Sequence, residues 1–245
     1  MSERNTLDNN TSQILHDYAS PNVKLLVGRK KVEFNVQENV LSKVTHFQKC
    51  LNLGFKEAST KTIELLDDDQ EGIAQLLHWV YTGPMSDIPC DKTSVNRSQA
   101  EVQRSMSLVQ SYVVADNYSV EGLTNRIVDI FITYFGGHFP IPSLITTLTE
   151  AGLETCRLRQ FFVHHLARAI ADARSGCARW QDYIDRDTDW EANIKNLAPD
   201  DVLDVLKQCA DLARARKPLP RYHHCDWHIH ETTQPCNQKK TANKG

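Results

Sequence analysis

Lys61-Thr62-Ile63-Glu64-Leu65-Leu66-Asp67-Asp68-Asp69-Gln70-Glu71-Gly72-Ile73-Ala74-Gln75-Leu76-Leu77-His78-Trp79-Val80-Tyr81-Thr82-Gly83-Pro84 is the run on which the fold turns. From Thr62 to Leu65 polar and apolar residues alternate, the period of a half-buried strand. Ile73, Leu76, Leu77 and Val80 then recur at helical spacing. Between them stand three aspartates. Short carboxylates accept hydrogen bonds from the unpaired N–H groups of a helix's first turn, and their charge suits the positive end of its dipole. Asp68 and Glu71 have the spacing of a capping box. An acidic triplet can also ligate metal, but directly before a helical stripe the capping reading is stronger. Gly83 can adopt a left-handed conformation and Pro84 cannot continue a helix, so the helix ends there.

The same logic extends upstream. Val23-Lys24-Leu25-Leu26-Val27 is short, apolar and partly β-branched, and Gly28 ends it. In Lys31-Val32-Glu33-Phe34-Asn35-Val36 strict alternation predicts a strand with Val32, Phe34 and Val36 on one face, and Gly28-Arg29-Lys30 makes the hairpin turn. From Asn39 to Leu51, Val40, Leu41, Val44, Phe47 and Leu51 recur at helical spacing, and the region between the second and third strands reads as a helical hairpin. Downstream, Met85 to Arg104 is polar and aperiodic and reads as a loop. Two helices follow, one carrying Leu108, Tyr112, Val113 and Ala115, the other Val120, Leu123, Ile127, Phe131 and Tyr134. Gly136-Gly137, Pro140 and Pro142 break the pattern and place a domain edge near residue 138. Beyond it the chain reads as helical. Leu158, Phe161, Phe162, Leu166 and Ile170 form one stripe; Val202, Leu203, Leu206, Leu212 and Ala213 form another. Trp180 and Trp190 are the expected anchors of the mixed stretch between them.

The whole chain of 245 residues carries 28 Lys and Arg against 31 Asp and Glu, a formal charge of −3. A dedicated nucleic-acid binder usually shows a clear basic excess, so direct nucleic-acid contact is not expected. No apolar run reaches the ~18 residues of a membrane span, so no membrane association is expected. The first twenty residues are polar, without the apolar stretch of a secretory signal. The expected setting is therefore the cytoplasm and/or the nucleus, where the seven cysteines are reduced thiols or metal ligands. No glycine-rich phosphate loop, G-x-S-x-G or H-E-x-x-H is present, and nothing in the sequence argues for an enzyme.

Several blocks in order carry a resemblance. Gly54-Phe55-Lys56-Glu57-Ala58 leads to the strand ending at Leu65, then to the acidic helix start, then to Trp79-Val80-Tyr81-Thr82-Gly83. Val40-Leu41 and Phe47 stand upstream; Tyr112-Val113-Val114-Ala115-Asp116-Asn117-Tyr118 with Glu121-Gly122-Leu123 stands downstream. Together these resemble the core of a BTB/POZ domain, particularly of its fungal members, over roughly residues 20 to 136. The chain departs from that pattern at Asn22, where many members have an acidic start, and at Gln37, where His is frequent. Its segment before Val23 also lacks the long amphipathic helix that dimeric members exchange.

The resemblance implies an α+β fold, a small sheet packed on a helical cluster, followed here by an all-α C-terminal region. The expected organisation is a flexible tail over 1–20, the BTB/POZ domain over 21–136, a helical region over 137–216 and a Cys/His-containing polar tail over 217–245. It further implies an adaptor that binds proteins: a cullin scaffold of a ubiquitin ligase, or another BTB/POZ chain. Cullin-binding relatives carry a hydrophobic-x-Glu element, which Phe55-Lys56-Glu57 matches: an apolar anchor and a carboxylate for a partner's donor. The competing reading has Phe55 packed under its loop and Glu57 merely solvated.

A second constellation lies near the C-terminus. Cys225, His228, His230 and Cys236 spell C-x2-H-x-H-x5-C. Thiolate and imidazole are the ordinary ligands of structural zinc, and four satisfy a closed tetrahedron. A polar tail with scattered histidines is the alternative. Cys50, Cys90, Cys156, Cys177 and Cys209 have no such spacing and read as ordinary thiols. Two further functions stay open: a chromatin- or transcription-associated regulator with a zinc-binding tail, and a pure oligomerisation module.

Overall fold

The computed structural model describes residues 20–53, 55–88, 98–135, 141–174, 194–215, 224–231 and 233. Gly54, Cys90, Cys177, Trp180, Trp190, Cys236 and the segment before Ser20 lie outside them. The chain divides into two compact units: Met1–Met85 with Gln110–Val120, and Ser86–Val109 with Glu121–Gly245. Among the described residues no helix is long and apolar enough to cross a membrane.

The first unit is built on a three-stranded sheet of order β2-β1-β3, formed by β1 (Asn22–Val27), β2 (Val32–Gln37) and β3 (Thr62–Leu65). β1 and β2 form an antiparallel hairpin with Val27 opposite Val32, while β3 runs parallel to β1 with Ile63 beside Leu25. The turn needs positive φ, and Gly28 supplies it at 68°. Val23, Leu25 and Val27 on the central strand are fully buried, whereas on β2 burial fades from Val36 (1% exposed) to Val32 (37%). The expected buried face of β2 is thus only partly realised, with Val36 buried, Phe34 half-buried and Val32 exposed.

Asn39 to Leu51 is helical in two pieces. It divides into α1 (Glu38–Leu41) and α2 (Thr45–Asn52), with Val44 extended between them. Even so, Val40, Leu41, Val44, Phe47 and Leu51 are all buried. A short helix, α3 (Lys56–Thr60), precedes β3, and α4 (Gln70–Thr82) follows it. The cap of α4 is Asp69, whose carboxylate accepts from the Gly72 N–H at 2.8 Å, rather than Asp68. Asp68 instead accepts a 2.5 Å hydrogen bond from the Tyr118 hydroxyl. Burial raises the Asp68 carboxyl above its ordinary range, with the Tyr118 bond working against that shift. Gly72 permits close helix contact: a Cβ there would meet Val114 Cγ2 at 2.7 Å and the Gln110 carbonyl oxygen at 2.9 Å.

The stretch read as a loop, Met85 to Arg104, is helical from Gln99 onward, where α5 (Gln99–Asn117) begins. The second unit contains α6 (Glu121–Phe135), α7 (Ser143–Glu150), α8 (Arg157–Arg174) and α9 (Pro199–Ala215). Phe131 and Phe135 of α6 meet Phe162 of α8 at ring distances of 4.9 and 5.8 Å. Helices on either side of position 138 therefore share one core. His165 belongs to it too, stacked 5.3 Å from Phe135.

The stripe assigned to α9 is corrected. Leu203 and Leu206 are 48% and 59% exposed, while Asp201 and Val205 face inward. Asp201 can do so because Arg159 of α8 meets it at 2.6 Å and Thr149 of α7 donates to it at 2.8 Å. A paired and hydrogen-bonded carboxylate tolerates burial that an isolated one does not.

Candidate functional site

Phe55 is the N-cap residue of α3, with an extended backbone, and its carbonyl accepts from the Ala58 N–H at 3.0 Å. No residue of α3 is buried. The helix is held through its backbone instead: the Lys61 N–H donates to the Glu57 carbonyl at 2.9 Å and Lys61 turns the chain with φ 49°. The Phe55 ring is consequently 54% exposed, and Leu53 just before it 64%. Lys56 is exposed and Glu57 half-buried. The Cys50 thiol is pushed above its ordinary range, first by burial and then by the charge of Glu57. That thiol stays protonated near neutrality and is a poor nucleophile.

The C-terminal residues form a second arrangement, and α6 organises it. Glu121, Asn125 and Asp129 follow one another at intervals of four, so they share one face of that helix. Each holds the C-terminal segment. The Asn125 amide donates to the Ile229 carbonyl at 2.7 Å and accepts from the Ile229 N–H at 2.8 Å. Glu121 accepts from the Thr233 N–H at 3.1 Å and from the Thr233 hydroxyl. His228 places Nε2 3.0 Å from Asp129 Oδ1. Trp227 packs edge-on to Phe161 at 5.5 Å and lies 5.5 Å from His164. Burial, with a smaller push from the Arg168 charge, holds His164 below the usual imidazole range, so it stays neutral beside the indole.

Cys225 Sγ and His230 Nε2 are brought together at 3.2 Å. Nδ1 of the same imidazole lies 3.2 Å from the Thr233 hydroxyl oxygen. The His228 ring centre is 5.8 Å from that of His230, and its Nε2 faces Asp129. Among the described residues, no three His, Cys, Asp or Glu side chains converge as a metal-binding group. Cys236, the fourth ligand of the sequence pattern, lies outside the described residues. The segment 225–233, read as part of a polar tail, is therefore packed where described. The α6 stripe that anchors it escaped the sequence reading, though three amide- or carboxylate-bearing residues at intervals of four on a mostly apolar helix were its signal.

No protein-family model matches this chain, and no curated protein matches it. Its class is that of its fold: α+β, a small sheet with many helices and a helical C-terminal region.

Proposed function

We propose that the protein is a non-enzymatic, BTB/POZ-type adaptor that binds other proteins, with a cullin scaffold as its expected partner. The observation that carries this reading is the 54% exposure of Phe55. A phenylalanine serving only the fold would be packed beneath its loop. This one stands at the head of a short exposed helix, with Lys56 exposed and Glu57 one residue further on. An exposed aromatic beside a charged pair suits an interface: the ring fills a partner's pocket while the carboxylate accepts from a partner donor. The near-balanced charge of −3 suits protein partners better than nucleic acid. The cytoplasm or nucleus is the corresponding setting.

Affinity purification of the full chain, with mass spectrometry of what accompanies it, tests the reading. Recovery of a cullin and proteasome components supports it. Recovery of chromatin proteins instead favours the regulator, and recovery of the chain alone as a defined multimer favours the oligomerisation module.

A further inference from the structure

We infer that the face of α6 bearing Glu121, Asn125 and Asp129, with Phe161 and His164 of α8, is a docking groove for a linear peptide segment of a partner protein, which the chain's own C-terminal segment occupies in the partner's absence. The inference goes beyond the adaptor reading and does not depend on it: this groove belongs to the second unit, whereas Phe55 belongs to the first.

The groove reads backbone. Residues 228–230 lie in no helix or strand, so their main-chain groups need partners outside a regular ladder. Asn125 supplies them at Ile229: its Nδ2 donates to the carbonyl at 2.7 Å, and its Oδ1 accepts from the N–H of the same residue at 2.8 Å. One side-chain amide thus does what a neighbouring strand does, and any residue except proline satisfies it. In peptide recognition, main-chain bonds of this kind give affinity and flanking pockets give specificity.

The flanking contacts define the ligand. Trp227 lies edge-on to the fully buried Phe161 at 5.5 Å and 5.5 Å from His164, an aromatic seat for an anchor side chain. His228 is buried with Nε2 3.0 Å from Asp129. Glu121, itself 8% exposed, accepts from the Thr233 N–H at 3.1 Å and from its hydroxyl. Two carboxylates on one helix face favour a ligand that brings donors to them. The matching partner segment carries Trp, then His or a basic residue, then the residue that Asn125 reads, with Ser or Thr four positions after it.

The occupant is exchangeable. Its polar ties are hydrogen bonds of modest net worth, set against the entropy of ordering a stretch without secondary structure of its own. Asp226, Glu231 and Thr233 are exposed and Ile229 is half-buried, so a competitor enters from solvent. The tethered segment sets a threshold, because its effective concentration at the groove is about millimolar.

The test follows the isotope-labelled full chain by NMR as an unlabelled synthetic peptide of residues 224–234, carrying Cys225→Ser, is added. The expected result is that the chain's own Ile229 and Thr233 amide signals move to the positions of an unstructured segment, half-way at about millimolar peptide, while signals from α8 keep the dispersion of a folded helix. A peptide that also carries Trp227→Ala should not displace the segment at that concentration. In the Trp227→Ala chain the first peptide should bind about 10- to 30-fold more readily, because its internal competitor is weakened. Adding Asn125→Ala to that chain should weaken the peptide about 5- to 100-fold. Three results overturn the proposal: Ile229 and Thr233 signals that stay in place at roughly ten times the expected midpoint, equal displacement by the Trp227→Ala peptide, or dimers of the wild-type chain that Trp227→Ala dissolves, which would make a second copy the occupant. The first two use the wild-type chain, so misfolding of a variant cannot shield the idea.

Discussion

Asp201 offers a sharp test of the helical unit, because its burial is so unusual for its chemistry. Its side chain is fully buried, on the first turn of α9. It accepts from Arg159 Nη2 at 2.6 Å, Thr149 Oγ1 at 2.8 Å and Thr146 Oγ1 at 3.3 Å, thereby joining α7, α8 and α9. Replacing Asp201 by Ala leaves the buried Arg159 guanidinium with the partly exposed Asp204 carboxylate at 2.9 Å, the Thr149 hydroxyl at 2.9 Å and the Glu154 carbonyl at 3.0 Å. Removing one partner of a buried pair costs about 3–5 kcal/mol. Because Asp204 remains, the low end applies, ~3 kcal/mol. At roughly 2–4 °C per kcal/mol, the unit's melting transition should fall by about 6–12 °C in scanning calorimetry. The double variant Arg159→Met with Asp201→Leu removes both charges and should lose less than Asp201→Ala alone. A fall below about 2 °C in the single variant, or a double variant less stable than the single one, would refute the reasoning.

Three further outcomes are expected. Gly72→Ala gains about 1 kcal/mol of helix propensity but forces a methyl group into Val114 and the Gln110 carbonyl, at a cost of about 1–3 kcal/mol. Its urea midpoint should fall, and a rise would show that α4 can shift aside. Asp68 has a raised carboxyl pKa in the fold, so between the ordinary and raised values the folded state holds more protons than the unfolded one. Its contribution to stability is therefore full at low pH and is lost as pH climbs above about 4 through the raised value. Asp68→Asn should flatten that slope in a stability-against-pH series, whereas an unchanged slope would remove Asp68 as its source. Asn125→Ala deletes both hydrogen bonds to Ile229, each worth about 0.5–1.5 kcal/mol. The Ile229 amide should exchange about 5- to 100-fold faster while amides inside α8 keep their rates, and uniform protection in both would discount the clamp.

The sheet was legible because period-two alternation and a glycine turn are local signals: β1, β2 and β3 all lie where the pattern puts them. Position within the sheet is not local. Alternation in β2 marks one apolar face, but it does not say how far other elements cover that face, so Val32 is more exposed than its pattern implies. The helical spacing of Asn39 to Leu51 found every buried residue of that stretch, but spacing alone does not place the extended Val44 between its two helices. Apolar periodicity failed on α9 for a physical reason. It counts hydrophobic residues only, and the inward face of α9 carries Asp201, whose burial depends on an arginine 42 positions away. The same limit hid the α6 stripe, since Asn125 and Asp129 acquire their roles only from residues about a hundred positions downstream. Spacing grouped Cys225, His228, His230 and Cys236 as one set; it could not show that Cys225 and His230 come together while His228 faces Asp129.

The central claim, that the Phe55 loop is a docking surface, is tested most directly by titrating the purified chain with the cullin scaffold in a calorimeter. With Phe55→Ala the account predicts a Kd about 30-fold weaker, ~2 kcal/mol, as for an aromatic anchor at an interface centre, and a further loss on adding Glu57→Ala. Stability should barely change, since the ring is 54% exposed. No binding by the wild type, or undiminished binding by the double variant, would contradict it.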